Sequence, residues 1–152
     1  MIGLLLVIGT FFFMELVAWT THKYVMHGFL WKLHEDHHIK ENPNSFLEHN
    51  DSFFVIFAVP GMLCIGLGTL ASMPYFLPIG LGITLYGLCY FLVHDVFIHQ
   101  RIKWFRKSNN KYLRAIRRAH KMHHKHITKE DGECFGMLVV PFKYLKAELR
   151  SK

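Results

Sequence analysis

The histidines of this chain occur at spacings that could hold metal ions. Ten of the 12 lie in four short groups, which show the spacings H-x4-H and H-x2-H-H twice in the same order. Imidazole binds iron, copper, nickel and zinc, so a repeated set of ten predicts a metal centre without naming the metal. His49 and His126 fall outside the pattern, and we do not expect them to be ligands. The predicted ligands are His22, His27, His34, His37, His38, His94, His99, His120, His123 and His124.

The spacings indicate how these side chains are arranged on helices. Residues three and four apart share a helical face, so each H-x2-H-H group can point three imidazoles the same way. Residues five apart lie about 140° apart around a regular helix, so an H-x4-H pair suits two different metals or a helix end that unwinds. Ten ligands shared by two octahedral ions leave about one open position on each, as a catalytic metal requires.

Carboxylates near the histidine groups are predicted to support the ligands. Neutral imidazoles do not balance the charge of two divalent ions, and metal-bound histidines usually donate their other ring N–H to an oxygen acceptor. Asp95 directly follows His94, so we expect it to contact the imidazole of a different residue. The predicted supporting carboxylates are Asp36, Asp51, Asp95, Glu48 and, beside them, Glu35.

Three long apolar runs must position these histidines. Residues 2–21, 52–72 and 74–93 each have about the 20 residues that a helix needs to cross the hydrocarbon core of a bilayer. We therefore predict an all-α integral membrane protein, with residues 1–152 forming one domain and a helical cap carrying the histidines at one membrane edge. The first run lacks the basic start and cleavage site of a secretory signal, and no transit-peptide composition is present, which favours a bacterial inner membrane.

The basic residues predict the orientation of the chain. The net charge is +7, and all 18 Lys and Arg lie in residues 23–40 or 101–152. With three spans, both segments fall on one side of the membrane together with the histidines, and the positive-inside rule makes that side cytoplasmic. The basic segment 101–118 suits anionic lipid or, alternatively, an acidic redox partner. Nucleic acid fits poorly because the segment must lie against the membrane.

Several features leave more than one interpretation. Glu15 is the only charged side chain inside the runs, so it could line a substrate pocket, bond to an imidazole or bond to a neighbouring helix. Pro43 is expected to end the helix that follows His22. The apolar tail 135–145 is too short to span and could cover the metal site or lie in the membrane interface. Glycines that favour either close helix packing or a ligand groove are Gly61, Gly66, Gly68, Gly80, Gly82 and Gly87.

The location of the histidines favours oxygen chemistry over transport. Transport sites lie near the bilayer midplane with broken helices, whereas these histidines are predicted at one membrane edge. Two metals with open positions beside lipid indicate dioxygen chemistry on an apolar molecule. A membrane metal-binding or transport protein is the alternative from another class. The three cysteines are scattered without a CxxC, so neither a disulfide framework nor an iron–sulfur site is supported.

Longer stretches around the histidines resemble a known family. The four groups are similar to the histidine boxes of the membrane-bound fatty acid hydroxylase/sterol desaturase superfamily, whose members are non-haem di-iron enzymes. FLEHND, YGLCYFLVHDVFIHQR, YLRAIRRAHKMHHKH and ECFGMLVVP resemble the bacterial β-carotene 3-hydroxylases in particular. The resemblance extends from His22 to Pro141, and HDxxxHxR at His94–Arg101, the short length and the FGMLVVP tail favour the carotenoid branch.

The resemblance implies an activity. Two irons bound by most of the ten histidines would use O2 to hydroxylate carbon 3 of the β-ionone rings of membrane-dissolved β-carotene, giving β-cryptoxanthin and then zeaxanthin. Zinc can replace iron in a purified sample. The chain has no nucleotide-binding glycine motif, so electrons would come from a partner, most simply ferredoxin and ferredoxin reductase. Hydroxylation or desaturation of a fatty acyl or sterol-like lipid is the alternative. The superfamily usually has four spans, so a fourth within residues 101–145 stays open.

Overall fold

The structure is a computed structural model that describes residues 1–40, 45–104 and 107–151. It is all-helical over these residues, which confirms the predicted fold class. The expected helix stop at Pro43 lies outside the described residues. The α-helices are α1 (Ile2–Thr21), α2 (Trp31–His38), α3 (Ser52–Leu70), α4 (Phe76–Tyr90), α5 (Lys111–His123) and α6 (Phe142–Arg150). The other helical pieces are a first π segment (His22–Phe29), a 3-10 turn (His49–Asp51) and a second π segment (Phe91–Ile98).

Three continuous helical stretches are long and apolar enough to cross a membrane, as predicted. They are Ile2–Phe29, His49–Leu70 and Phe76–Ile98, with 28, 22 and 23 residues. The second ends at Leu70 rather than at residue 72 because Ser72 has a left-handed backbone, with φ of 55°. Among the described residues no fourth helix has this length and apolar character.

The central helix of the bundle is α4, which packs against both α1 and α3. Two of its glycines permit this close approach. A Cβ on Gly82 would lie 2.8 Å from the carbonyl oxygen of Val7 in α1, and one on Gly80 would lie 2.8 Å from that of Gly61 in α3. Apolar spans have little hydrophobic reason to associate in lipid, so contact of this kind is what holds them together.

The cap is built from α5 and α6, which pack against each other beside the ends of the spans. Asn110 begins α5 by accepting hydrogen bonds from the backbone N–H groups of Tyr112 and Leu113, at 2.9 and 3.1 Å. Ala115 and Ala119 are buried against Tyr144 of α6. This packing fixes α5 with its last turn, which carries the fourth histidine group, directed at the other three groups.

Candidate metal centre

The H-x4-H pairs converge because each lies in a π segment. The backbone N–H of His99 donates to the carbonyl of His94, five residues back, at 2.9 Å. In the first π segment, the N–H of Leu30 bonds to the carbonyl of Val25 over the same separation at 3.0 Å, and the backbone leaves helical geometry at His27 and Gly28. An i→i+5 bond brings residues five apart onto one face, which a regular helix does not do. Of the two interpretations, the structure favours the irregular helix end, because the two rings of each pair converge on one group of ligand atoms.

The ten predicted ligands form two groups of converging rings. The candidate ligand atoms of five rings in the first group, and of four in the second, all lie within 4.8 Å of one another. His124 joins the second group, since its Nε2 lies 2.9 Å from Nε2 of His120. The first cluster is His22, His27, His34, His38 and His123, and the second cluster is His37, His94, His99, His120 and His124.

Each cluster contains four histidines from one half of the sequence repeat and one histidine from the other half. His37 lies on α2 with His34 and His38 but belongs to the second cluster. His123 lies on α5 with His120 but belongs to the first cluster. Both helices therefore run between the clusters and join them. The ring centroids of His38 and His124, one from each cluster, are only 4.4 Å apart.

The first cluster is oriented mainly by backbone carbonyls of the loop 127–135. Three of its rings donate from Nδ1 to this loop at 2.8–3.0 Å: His22 to Phe135, His27 to Ile127 and His123 to Glu133. These partners could not be found from sequence, because every residue has a carbonyl. The Phe135 ring also packs on the cluster, with its centroid 5.1 Å from that of the His123 ring and 5.5 Å from that of the His22 ring. The apolar tail thus covers the histidines, in agreement with one of its two interpretations.

Asn50 supports the fourth ring of the first cluster. Its Oδ1 accepts a hydrogen bond from Nδ1 of His34 at 2.7 Å, and the side chain is buried. Asn50 was missed as a site residue, although it stands in the FLEHND stretch that carries part of the resemblance. His49 and His126 belong to neither cluster.

The second cluster is oriented by carboxylates. Glu48 accepts a hydrogen bond from Nδ1 of His37 at 3.0 Å, and Asp95 accepts one from Nδ1 of His94 at 3.2 Å. The expectation that Asp95 contacts another residue's imidazole is wrong. Arg101 donates to the other oxygen of Asp95 at 2.9 Å and so holds this carboxylate back toward its own helix. Burial raises the pKa of Glu48, while the charges of Arg101 and Lys40 act in the opposite direction.

The remaining predicted carboxylates do not contact a predicted ligand. Asp36 accepts from the backbone N–H groups of His49 and Asn50, so it orders the 3-10 turn instead. Asp51 accepts two hydrogen bonds from Arg101, at 2.7 and 3.0 Å. These two therefore act on the segments that carry Asn50 and Glu48 rather than on an imidazole.

Glu35 and Glu15 also lie away from the rings. Glu35 pairs with Lys32 at 2.9 Å on the outer side of α2. Glu15 accepts a hydrogen bond from the hydroxyl of Tyr86 on α4 at 2.7 Å, so of the three interpretations of Glu15 the structure favours the bond to a neighbouring helix. The carboxylate of Glu15 also accepts from the backbone of the tail 135–145.

In the first cluster, the ring nitrogens that face each other are unprotonated and so can bind a cation. Carbonyl and amide oxygens can only accept, so the Nδ1 atoms that face them carry the proton and the Nε2 atoms do not. Yet Nε2 of His22 lies 3.1 Å from Nε2 of His34, and Nε2 of His27 lies 3.2 Å from Nε2 of His123. Two unprotonated nitrogens cannot hydrogen-bond to each other, whereas a metal ion between them satisfies both.

The second cluster fits a cation for the same reason. Carboxylates orient His37 and His94 through Nδ1, and the buried Nε2 atoms of both rings have no hydrogen-bond partner. Burial lowers the pKa of His99 to about 3 and, in the first cluster, the pKa of His34 to about 3. The rings are therefore neutral near pH 7, which is the form that binds metal.

An apolar cavity of about 340 Å³ leads from the bilayer side to the first cluster. Residues of α1, α3 and α4 line most of it, and the lining also includes His22 of the first cluster and Asn50. Ala58 and Met62, which also line it, are exposed on the outer face of α3, so the cavity is accessible from the side of the bundle. The other lining residues are Met14, Ala18, Met26, Phe53, Phe54, Phe57, Gly61, Ile83, Thr84, Tyr86, Gly87 and Tyr90.

The glycines of α3 and α4 therefore serve both predicted purposes. Gly80 and Gly82 permit close helix packing, whereas Gly61 and Gly87 line the cavity. A Cβ on Gly87 would have no atom within 4 Å, which marks open space.

Comparison with known proteins decides the family. The model of the fatty acid hydroxylase family matches residues 7–144, which include all ten clustered histidines. This chain belongs to the fatty acid hydroxylase family. The resemblance predicted from the histidine groups is confirmed, and so is the prediction of a hydroxylase.

Within the fatty acid hydroxylase family, the chain is similar to enzymes named for carotenoids. It is 40% identical to the β-carotene hydroxylase of Pantoea ananas over 149 residues, which cover 97% of this chain and 83% of the relative. It is 38% identical to that of Pseudescherichia vulneris, covering 91% and 77%. A chloroplastic β-carotene 3-hydroxylase of Arabidopsis thaliana is 37% identical, covering 84% of this chain and 42% of the plant protein. No solved structure matches the chain.

Proposed function

We propose that this chain is a non-haem di-iron monooxygenase that hydroxylates carbon 3 of the β-ionone rings of β-carotene, giving β-cryptoxanthin and then zeaxanthin. The observation that carries the proposal is the meeting of two five-histidine clusters, of which the first reaches an apolar cavity through His22. The similarity to β-carotene hydroxylases supports the choice of substrate. Residues 1–152 together would form the one catalytic domain.

Each cluster would hold one iron through its five imidazoles. When bound, the two irons would supply the activation of O2 that inserts a hydroxyl group into an unactivated C–H bond. Zinc suits the same nitrogen ligands but has no redox chemistry, so it could occupy the site without supporting turnover. The residues of this chain set the ring orientations through the Nδ1 bonds described above, and burial keeps His34 and His99 neutral by lowering their pKa values.

The cavity would bind one ring end of the substrate. Its wall is apolar and aromatic, and it reaches His22, which belongs both to the cavity lining and to the first cluster. A carotenoid is a long apolar rod, so the rest of the molecule would stay in the bilayer while Ala58 and Met62 flank its entry. Phe53 and Phe57 would keep water from the reacting carbon, since apolar lining excludes it.

Electrons would come from ferredoxin and ferredoxin reductase. α5 carries exposed basic residues such as Lys111 and Arg118 on one side, and His120 of the second cluster on the other. An acidic electron carrier would be attracted to that basic surface and would arrive close to the metals. We place this surface on the cytoplasmic face of a bacterial inner membrane, because the basic residues lie on that side of the three apolar helices.

The proposal is tested in cells that accumulate β-carotene. Expression of the chain should convert the pigment to zeaxanthin, with β-cryptoxanthin as the intermediate, measured by chromatography. His126→Ala is the matched control, since His126 belongs to neither cluster, and it should retain conversion. Unchanged pigment in cells that contain the folded, iron-loaded chain would contradict the proposal.

A fatty acyl or sterol-like lipid is the second candidate substrate. The family description and the apolar cavity favour it, because such a chain would also reach His22 from the bilayer. Lipid profiling of the same cells separates the two, since new hydroxylated or desaturated lipids with unchanged carotenoid would favour this candidate.

A further inference from the structure

Glu15 makes an arrangement that the proposed reaction does not use. It is 7% exposed and lies inside the first span, in α1. One carboxylate oxygen, Oε1, accepts from three consecutive backbone N–H groups, those of Met137, Leu138 and Val139, at 2.8–2.9 Å. The other oxygen accepts from the hydroxyl of Tyr86 at 2.7 Å. Four hydrogen-bond donors therefore surround this buried carboxylate, which anchors residues 137–139 to α1.

The backbone that Glu15 binds belongs to no helix. The N–H groups of Met137, Leu138 and Val139 lie beside α1 at Glu15, and at membrane depth an unpaired N–H group is destabilising because no water replaces the missing bond. One acceptor therefore permits a non-helical segment to lie against the span. Gly136 fits the same arrangement, since a Cβ there would lie 2.5 Å from Oε1 of Glu15.

The anchored segment directly continues the loop that orients the first cluster. Phe135 precedes Gly136, and its carbonyl accepts from Nδ1 of His22 at 2.9 Å. The carbonyl of Glu133 accepts from Nδ1 of His123 at 3.0 Å. Both rings belong to the first cluster. Within the described residues, the hydrogen bonds of the second cluster's ring nitrogens go to carboxylates or to other imidazoles, not to this loop.

We propose that Glu15 is a positioning residue for the first metal site: by holding residues 137–139 against α1, its carboxylate fixes the carbonyls that set the orientation of His22 and His123. Glu15 touches neither the metal nor the substrate. This inference rests on the proposed metal centre, and it predicts that loss of the carboxylate weakens one site of the two.

The test counts metal ions per chain in the purified, full-length protein. Total iron plus zinc, measured by elemental analysis after equilibration with a weak chelator, should fall from about two ions to about one in Glu15→Leu. Glu15→Gln should retain more metal than Glu15→Leu, because the amide oxygen still accepts from the three N–H groups. Hydrogen exchange of the amides of residues 137–139 should accelerate in Glu15→Leu and much less in Glu15→Gln.

Gly136→Ala disturbs the same contact from the side of the loop, and it leaves the carboxylate of Glu15 in place. It should lose the same ion, and Gly9→Ala is its control, since a Cβ on Gly9 in α1 meets no atom within 4 Å. If Glu15→Leu fails to fold, Gly136→Ala decides. Two tightly held ions and a wild-type absorption spectrum in either variant would overturn the inference. An absence of metal from the wild-type chain would instead contradict the proposed function, so the two failures are distinguishable.

Discussion

The two histidine clusters differ in what holds their rings. In the first cluster, four Nδ1 atoms donate to uncharged oxygens, three of them backbone carbonyls of the loop 127–135 and one the amide of Asn50. In the second, two Nδ1 atoms donate to the carboxylates of Glu48 and Asp95, and Arg101 ties those carboxylates together. The first cluster therefore depends on the course of the main chain, and the second on a charged network. Different substitutions should release different ions.

Removing one ring from each cluster should have the largest effect. His123→Ala and His37→Ala each remove a histidine from a cluster whose other members come from the other half of the repeat. Each should lower the metal content by about one ion per chain and lower turnover by more than about 100-fold, the upper end for loss of a supporting partner alone. Turnover at the wild-type level in either variant, with insertion into the membrane intact, would remove that residue from the ligand set.

Arg101→Leu should act mainly on the second cluster. It leaves the nearly buried Asp95 without its cation, so the carboxylates that orient His37 and His94 are no longer held in place. We expect affinity for one ion to fall by about 10–100-fold, measured by competition with a chelator. Arg150→Leu, at the exposed end of α6, is the control. Equal weakening of both ions would contradict the separation of the two supports.

Asn50→Leu should act on the first cluster, and more weakly. It removes the acceptor for Nδ1 of His34 while the three backbone acceptors of the cluster remain. Affinity should fall by about 10-fold for the ion of the first cluster, which is not the ion that Arg101→Leu weakens most. The double variant should therefore weaken both ions. If Asn50→Leu and Arg101→Leu affect the same ion, the assignment of partners to clusters is wrong.

How much of this arrangement the sequence could predict depends on what kind of group makes each contact. The apolar runs and the ten histidines are side-chain patterns, so the helical spans and the meeting of the rings could be predicted. The H-x4-H spacing indicated an irregular helix end only as one of two interpretations, because the change from i→i+4 to i→i+5 bonding at His94 and His99 leaves no trace in hydrophobic periodicity. The backbone groups that bind Glu15 and His22 lie more than a hundred residues away, and no residue type marks them.

Narrowing the cavity should change substrate binding and leave both clusters intact, which is the smallest of these effects. Gly87→Leu places a side chain in open space on the cavity wall, so KM should rise and turnover fall by about 10-fold at constant metal content. Gly66→Leu is the matched control, because a Cβ there also meets no atom within 4 Å and Gly66 does not line the cavity. Equal effects of the two variants would argue against the cavity as the substrate site.

All the other proposals depend on two irons bound by imidazoles alone from this chain. X-ray absorption at the iron edge, combined with elemental analysis of the purified protein, can measure both the number of irons and their ligands. We expect about two irons per chain, with a first coordination shell dominated by imidazole nitrogen at about 2.0–2.2 Å. One iron per chain, or a shell made mainly of sulfur or carboxylate oxygen, would contradict it.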